Sequence, residues 1–247
     1  MNIDDIKQKA FSMPFIDPLY TKTVYQMKKR EYFIINYETD MNVLQQIVPK
    51  PLKVINNIVK FEFMNMYDST GFGSYSESGQ VIEVEFEGKV GNYVHAMYLN
   101  NLAPICAGRE IWGYPKKLAT PSLKVENDTL LGNLKYNSVE IAIGTMGYKY
   151  QELDKQKIQH DLISKNIYLL KIIPHPNGKD ASILQLIACN LSNVYVYEAW
   201  SGPVNLDLFD HALAPVNSLP VKKVVSGSHF VADVTLPGGT IIYDYLK

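Results

Sequence analysis

Residues 59–64 read VKFEFM, an alternation in which the valine and both phenylalanines occupy odd positions and Glu62 an even one. Successive side chains of a β-strand point to opposite faces, so this segment is predicted to be a strand with one apolar face. The same period of two recurs in IEVEFE at 82–87, and a third strand is predicted over 93–99. Glu62 is therefore expected on the opposite face from the phenylalanines.

Strands are predicted along most of the remaining chain, with only short helices between them. The first covers 32–37, and later ones cover 121–126, 129–136, 138–148, 166–174, 182–198, 203–209, 221–236 and 239–245. Helices are predicted over 2–13, over 41–48 after a cap at Thr39 or Asp40, and over 104–112. Many strands with few helices predict an α+β fold, predominantly antiparallel β, in a single domain over 1–247. The sheet is expected to be closed or strongly curved, so that no long edge is exposed.

The composition suits a globular protein with no surface for nucleic acid or membrane. Of 247 residues, 47% are hydrophobic, and the formal net charge of −1 provides no basic footprint for nucleic acid. Residues 1–13 contain no apolar signal segment, and no apolar run is long enough to cross a membrane, so a cytoplasmic location is expected. Cys106 and Cys189 have no spacing suited to a metal or a disulfide framework and are predicted to be buried free thiols.

Residues 109–118 read REIWGYPKKL and place two adjacent lysines after a rigid Tyr-Pro step. A lysine is a nucleophile only as the neutral amine, and with an ordinary pKa of about 10.4 roughly one molecule in 10³ to 10⁴ is neutral at pH 6 to 7. An apolar pocket or a second nearby cation lowers that pKa. Adjacent lysines are ordinarily solvated surface residues, but the aromatic and aliphatic flanks here favour a reactive lysine.

The lysine segment resembles the catalytic segment of the acetoacetate decarboxylases. The shared pattern is Gly-Arg-Glu at 108–110 followed by Tyr-Pro-Lys-Lys-Leu at 114–118. Further segments that resemble the family follow the same order along the chain, at 30–33, 71–80, 145–149, 198–203 and 241–247. Similarity spread over nearly the whole chain is far more specific than one lysine motif.

The resemblance implies both a fold and a reaction. The fold is a cone-like, closed antiparallel β-barrel with short peripheral helices, which assembles into a large homo-oligomer, a dodecamer. The reaction is decarboxylation of a 3-oxo acid, acetoacetate, to acetone and CO2 through a Schiff base on Lys116, without a cofactor. Acetoacetate decarboxylase is itself the usual example of a lysine activated by desolvation or by a cationic neighbour.

The resemblance also assigns roles to side chains around Lys116. Arg30 is expected to meet the substrate carboxylate near the entrance, where a guanidinium can bind it bidentately. Glu77, in a turn rich in serine and glycine, is expected to position the substrate and to oppose its carboxylate. Glu62 is expected to be a second glutamate in the pocket, and Lys117 belongs to the motif.

Two further residues, Tyr114 and Met97, are expected to form walls of the substrate pocket, although such residues on strands are more often part of a core. No metal, flavin or nucleotide site is predicted. The five histidines are scattered, and the Gly-Phe-Gly at 71–73 is too short for a dinucleotide-binding loop.

Two other functions compete with decarboxylation. Some members of the wider superfamily are thought to run aldolase–dehydratase chemistry on pyruvate-like keto acids, also through a lysine imine. A non-catalytic β-barrel, either binding a small molecule or purely structural, would need none of these residues. The presence of Arg30, Glu62 and Glu77 with an intact Lys116 favours decarboxylation.

Lys117 is predicted to affect the pKa of Lys116 less than burial does. In an extended segment the two side chains point to opposite faces. At about 10 Å and an effective dielectric near 40 their repulsion is about 0.8 kcal/mol, whereas full burial can shift a lysine pKa by up to about 3–5 units. The substitution Lys117→Gln is expected to raise the pKa of Lys116 by less than about one unit, read from the pH dependence of its labelling by an uncharged acylating reagent. A rise of several units would contradict this expectation.

Overall fold

A computed structural model of the chain describes residues 1–247 and contains four short α-helices. They are α1 (Ile3–Lys9), α2 (Met41–Ile47), α3 (Leu102–Ala107) and α4 (Lys155–Ser164), with a π-helical turn at Gly108–Trp112 and a 3-10 turn at Val216–Ser218. The three predicted helices are present with shorter or shifted bounds, and the side chain of Asp40 caps α2 as predicted. None of the helices is long and apolar enough to cross a membrane.

Fifteen strands make up most of the remaining structure. They are β1 (Tyr25–Glu38), β2 (Lys53–Ser69), β3 (Gly73–Phe86), β4 (Lys89–Leu99), β5 (Lys116–Leu118), β6 (Thr120–Glu126), β7 (Thr129–Tyr136), β8 (Val139–Gly147), β9 (Gln151–Glu152), β10 (Asn166–Pro174), β11 (Ala181–Cys189), β12 (Ser192–Ser201), β13 (Val204–Leu208), β14 (Lys223–Leu236) and β15 (Thr240–Asp244). This predominance of strands over short helices confirms the predicted α+β class.

The strands form two sheets. In the larger, eleven-stranded sheet the order is β15-β11-β10-β4-β3-β2-β1-β14-β12-β9, and β5 pairs with β4 beside this path. The second sheet has four strands in the order β13-β8-β7-β6. All pairs are antiparallel except β4 with β10 and β4 with β5, so the predicted antiparallel character is confirmed.

The predicted closed barrel is wrong, because the eleven-stranded sheet is open. Its two end strands, β15 and β9, do not pair with each other. They are only five and two residues long, so little unpaired backbone is exposed and closure is not needed to protect the edges. The apolar face of the sheet is covered by the second sheet instead of by closure on itself.

The two faces of β2 have different surroundings, as the alternation at 59–64 predicts. The valine and both phenylalanines are fully buried in a core of 26 residues that joins the two sheets. The ring of Phe63 lies against the backbone of the second sheet, because a Cβ added to Gly132 would lie 2.5 Å from the ring and one added to Gly144 would lie 2.7 Å from it. The opposite face of β2 carries Glu62 toward a cavity.

Several predicted strands have the predicted bounds, and one prediction is wrong. The strands β7 and β10 cover the predicted ranges 129–136 and 166–174. The range 182–198, predicted as one strand, instead holds parts of β11 and β12, separated by residues 190–191. These two strands pair with different neighbours, and the apolar sequence on both sides hides the turn between them.

Glu77, predicted to lie in a turn rich in serine and glycine, lies in β3 with most of residues 71–80. The small side chains suit a strand here because neighbouring strands contact them closely. Ser78 Oγ donates to the backbone oxygen of Glu62 at 2.8 Å. A Cβ added to Gly79 would lie 2.3 Å from the backbone oxygen of Ala96, so the close pairing of β3 with β4 requires glycine at that position. Glu77 is thus a strand residue, not a turn residue.

Two smaller differences from the sequence analysis concern α4 and Cys106. Helix α4, which was not predicted, packs only Ile158 and Leu162 against the sheet, and none of its residues is fully buried. With so few packed apolar residues, the sequence of α4 has too weak a helical periodicity for the helix to be predicted. Both cysteines are free, and Cys189 is buried as predicted, whereas Cys106 is only half-buried.

Candidate active site

Lys116 is the first residue of β5, which pairs in parallel with β4 so that Lys116 lies beside Met97. Its side chain points into the protein and is only 8% exposed. Lys117, in contrast, is exposed and donates from Nζ to the backbone oxygen of Leu213 at 2.8 Å. The prediction that the two lysines point to opposite sides is confirmed.

The π-helical turn makes room for the buried lysine. A Cβ added to Gly108 would lie 2.7 Å from Cδ and 3.1 Å from Nζ of Lys116, so a larger residue would displace the side chain. Arg109 Nη1 donates to the backbone oxygen of Lys116 at 3.2 Å. Gly113, at φ +92°, ends the turn in the left-handed conformation that favours glycine. The Gly-Arg pair of the motif therefore holds the lysine segment in place.

Three groups surround the ammonium of Lys116. Oε1 of Glu77 accepts a hydrogen bond from Nζ at 2.8 Å, and the backbone oxygen of Pro104 accepts one at 3.3 Å. The ring centroid of Tyr114 lies 5.1 Å from Nζ. The other oxygen of Glu77, Oε2, lies 3.8 Å from Nη2 of Arg30. The buried carboxylate of Glu77 thus lies between two cations.

Burial lowers the pKa of Lys116 below the ordinary value of a lysine. The positive charge of Arg30 lowers it further, while the charge and hydrogen bond of Glu77 oppose the shift. The second cation of this site is therefore Arg30, which comes from β1, and not the adjacent Lys117. This agrees with the prediction that burial matters more than Lys117.

Glu62 lies opposite Gly79 in the pairing of β2 with β3 and lines the cavity beside the lysine. Burial raises the pKa of its carboxyl. Lys60 and Arg30 oppose that rise, and the negative charge of Glu77 adds to it. Burial thus has the largest effect on the pKa of Glu62, and the carboxyl forms no ion pair with either cation.

A cavity of about 410 Å³ connects most of the predicted site residues. Arg30, Glu62, Met97 and Tyr114 all line it. Lys116 lines a neighbouring cavity of about 20 Å³, of which Tyr114 is also a wall. Tyr114 is therefore a wall shared by the larger cavity and the smaller one that Lys116 lines.

Two residues of the site were not singled out from the sequence. The sequence marks Gly108 only as part of the Gly-Arg-Glu motif. The structure explains the glycine, because a larger residue would displace the side chain of Lys116. Lys60 lines the large cavity, and the period of two at 59–64 already places it on the same face as Glu62. That pattern alone does not distinguish it from a solvated lysine.

Comparison with known proteins points to one family. Residues 12–246 match the family model for acetoacetate decarboxylase (ADC). The acetoacetate decarboxylase of Bordetella avium is 52% identical over 246 residues, covering 100% of this chain and 99% of its own length. A solved structure from structural studies of acetoacetate decarboxylase superposes with a TM-score of 0.96 at 46% identity and covers 100% of both chains. The crystal structure of acetoacetate decarboxylase from Legionella pneumophila has a TM-score of 0.92 at 48% identity, covering 98% of this chain and 97% of its own.

The substitution Glu77→Gln removes the negative charge that raises the pKa of Lys116. We expect the pKa of Lys116 to fall further, so that an uncharged acylating reagent labels Lys116 several-fold faster at a fixed pH below that pKa. Peptide mass spectrometry measures the labelling. Glu85→Gln, on the same strand but without a hydrogen bond or ion pair to Lys116, is the matched control and leaves the rate unchanged. Slower labelling of Lys116 in Glu77→Gln would show that the carboxylate does not hold the ammonium form.

Proposed function

The chain belongs to the acetoacetate decarboxylase family, and we propose that it converts acetoacetate to acetone and CO2 through an imine on Lys116, without a cofactor. Its activity is that of a carboxy-lyase acting on a small-molecule 3-oxo acid. One observation supports the imine above all others. Lys116 is buried, its amine is hydrogen-bonded to Glu77, and Arg30 lies on the far side of that carboxylate.

The chemistry requires an electron sink. Loss of CO2 from a 3-oxo acid leaves an electron pair on the carbon next to the ketone. After Nζ of Lys116 has passed a proton to Glu77, the neutral amine attacks the ketone carbonyl to give a carbinolamine. Glu77 returns this proton to the hydroxyl, which leaves as water, so that a protonated imine forms and the carboxylate of Glu77 is restored. The bond to the carboxylate carbon then breaks, CO2 leaves, and the electron pair moves to the imine nitrogen to give an enamine. Protonation at carbon and addition of water release acetone and restore the lysine.

Arg30 and Glu77 act on the substrate carboxylate in opposite ways. Arg30 lines the large cavity and offers its guanidinium to the incoming carboxylate. Glu77, whose Oε1 lies 2.8 Å from Nζ, accepts the proton that Lys116 must lose. Once the imine has formed, the negative charge of Glu77 destabilises the neighbouring carboxylate relative to uncharged CO2. Arg30 thus first binds the substrate carboxylate, and Glu77 then favours its release as CO2.

The remaining predicted residues have less direct roles. Glu62, whose pKa burial raises, supplies the proton that the enamine carbon needs. Tyr114 and Met97 form the wall that excludes water from the imine. Lys117 lies outside the cavity and acts indirectly, because its hydrogen bond to Leu213 anchors β5.

Family resemblance extends the proposal beyond the site. The 247 residues form a single domain, and the protein is cytoplasmic and assembles into a large homo-oligomer, a dodecamer. Exposed apolar side chains in the N-terminal segment support an interface there, since Met13 is 77% exposed and Ile16 is 76% exposed.

Reduction with sodium borohydride in the presence of acetoacetate tests this function, because it converts an imine into a stable amine. Peptide mass mapping is expected to place the adduct on Lys116, with CO2 release measured in parallel. Lys116→Arg is expected to abolish both the adduct and the CO2 release. Lys171→Arg is the matched control, since burial also lowers the pKa of Lys171, and it keeps both.

Each outcome of this experiment has a distinct meaning. An adduct on Lys116 with CO2 release is the expected result. An adduct without CO2 release would replace decarboxylation by aldolase-type chemistry on the same lysine. The absence of any adduct while CO2 is released would refute the imine.

A further inference from the structure

Lys60 lines the large cavity together with Lys165, whereas Lys116 lines the smaller one. Lys60 lies on β2 two residues before Glu62, and so on the same face of the strand. Its Nζ donates to Oδ1 of Asn92 at 2.9 Å, and it forms no ion pair with a carboxylate. Lys60 is thus a half-buried ammonium with one neutral amide as its hydrogen-bond partner.

The pairing of β2 with β3 determines where Lys60 lies along the cavity. Glu77 of β3 contacts Lys116, and Glu83 lies six residues further along the same strand. Lys60 pairs with Val81, which stands between these two glutamates. Lys60 therefore lies between the Glu83 end of the cavity and the end nearer to Glu77 and Lys116.

The Glu83 end of the cavity is the more open one. Oε1 of Glu83 pairs with Nζ of Lys165 at 2.7 Å, and these side chains are 20% and 29% exposed. Beyond the opposite end, past Tyr114, the side chains of Glu77 and Lys116 are only 5% and 8% exposed. A molecule that comes from solvent past Lys165 reaches Lys60 before it reaches Lys116.

The charges that face Lys60 leave it without a close counter-ion. Burial lowers its pKa, and the positive charge of Lys165 lowers it further. Three carboxylates act in the opposite direction without contacting it, namely Glu62, Glu83 and Asp161. An ammonium withdrawn from water and bonded only to an amide is stabilised by an anion that binds beside it.

We propose that Lys60 is a second carboxylate-binding site, which holds the 3-oxo acid anion between the mouth of the cavity and Arg30. This inference rests on the proposed function, in which the substrate is an anion and both products are uncharged. The carboxylate moves from the ammonium of Lys60 to the guanidinium of Arg30 as the ketone approaches Lys116, and both cations line the same cavity. Acetone and CO2 carry no charge, so the site concentrates substrate without retaining product.

Steady-state kinetics of Lys60→Met and Lys60→Arg test this site. Removing one unit charge that acts over roughly 8 Å at an effective dielectric near 40 is expected to raise KM for acetoacetate about five-fold in Lys60→Met, with kcat unchanged. The fall of kcat/KM with added salt is expected to become shallower in the same variant. Lys60→Arg keeps the charge and a KM near that of the wild type. Lys157→Gln, which removes an exposed charge from α4 outside the cavity, is the matched control and leaves both constants unchanged.

An uncharged ligand separates the effect of charge from damage to the cavity. Acetylacetone is a 1,3-diketone without a carboxylate, and its imine with Lys116 is expected to form with equal affinity in the wild type and in Lys60→Met at pH 6. An unchanged KM for acetoacetate in Lys60→Met, or an equal loss of affinity for acetylacetone, would overturn the proposal. Borohydride trapping of the wild type with acetoacetate tests the proposed function independently of Lys60. If the wild type is trapped on Lys116 and only the KM effect is missing, the Lys60 site fails and the proposed function stands.

Discussion

The ion pair between Lys116 and Glu77 is held out of water, and the chemistry of the site depends on that burial. In solvent, such a pair would contribute little and the lysine would remain an ammonium. Here burial and the charge of Arg30 act against the ammonium, while a carboxylate at 2.8 Å acts for it. Burial and Arg30 together outweigh Glu77, so the pKa of Lys116 falls and more of the lysine is the neutral amine. In the proposed mechanism, the same carboxylate receives the proton that the amine releases.

The open pair of sheets provides this burial while keeping charged residues close together. One face of β2 fills the core between the sheets, and the other carries Lys60 and Glu62 along the cavity. Glycines allow the close contacts that this requires, since Gly108 lies under Lys116 and Gly79 lies against the backbone of β4. Charged side chains therefore line the cavity on one face of β2, and the apolar core lies on the opposite face.

Local patterns in the sequence predict much of this structure, and long-range contacts account for the rest. The alternation at 59–64 predicts both the strand and the face of Glu62, and the lysine motif identifies Lys116. No local pattern predicts that the sheet stays open, because that depends on how β9 and β15 end it. Likewise, Glu77 lies in a strand because partners on β2 and β4 accommodate the serines and glycine around it. Arg30 becomes the second cation only when β1 folds beside β2 and β3.

The proposed chemistry requires that burial lower the pKa of Lys116 even though Glu77 contacts it. An NMR titration of protein labelled with ¹⁵N-lysine, with the Lys116 resonance assigned through Lys116→Arg, measures this pKa without substrate. We expect a midpoint below the ordinary lysine value of about 10.4. A midpoint at or above that value would mean that Glu77 outweighs burial and Arg30 together, and the site as described could not supply a neutral amine.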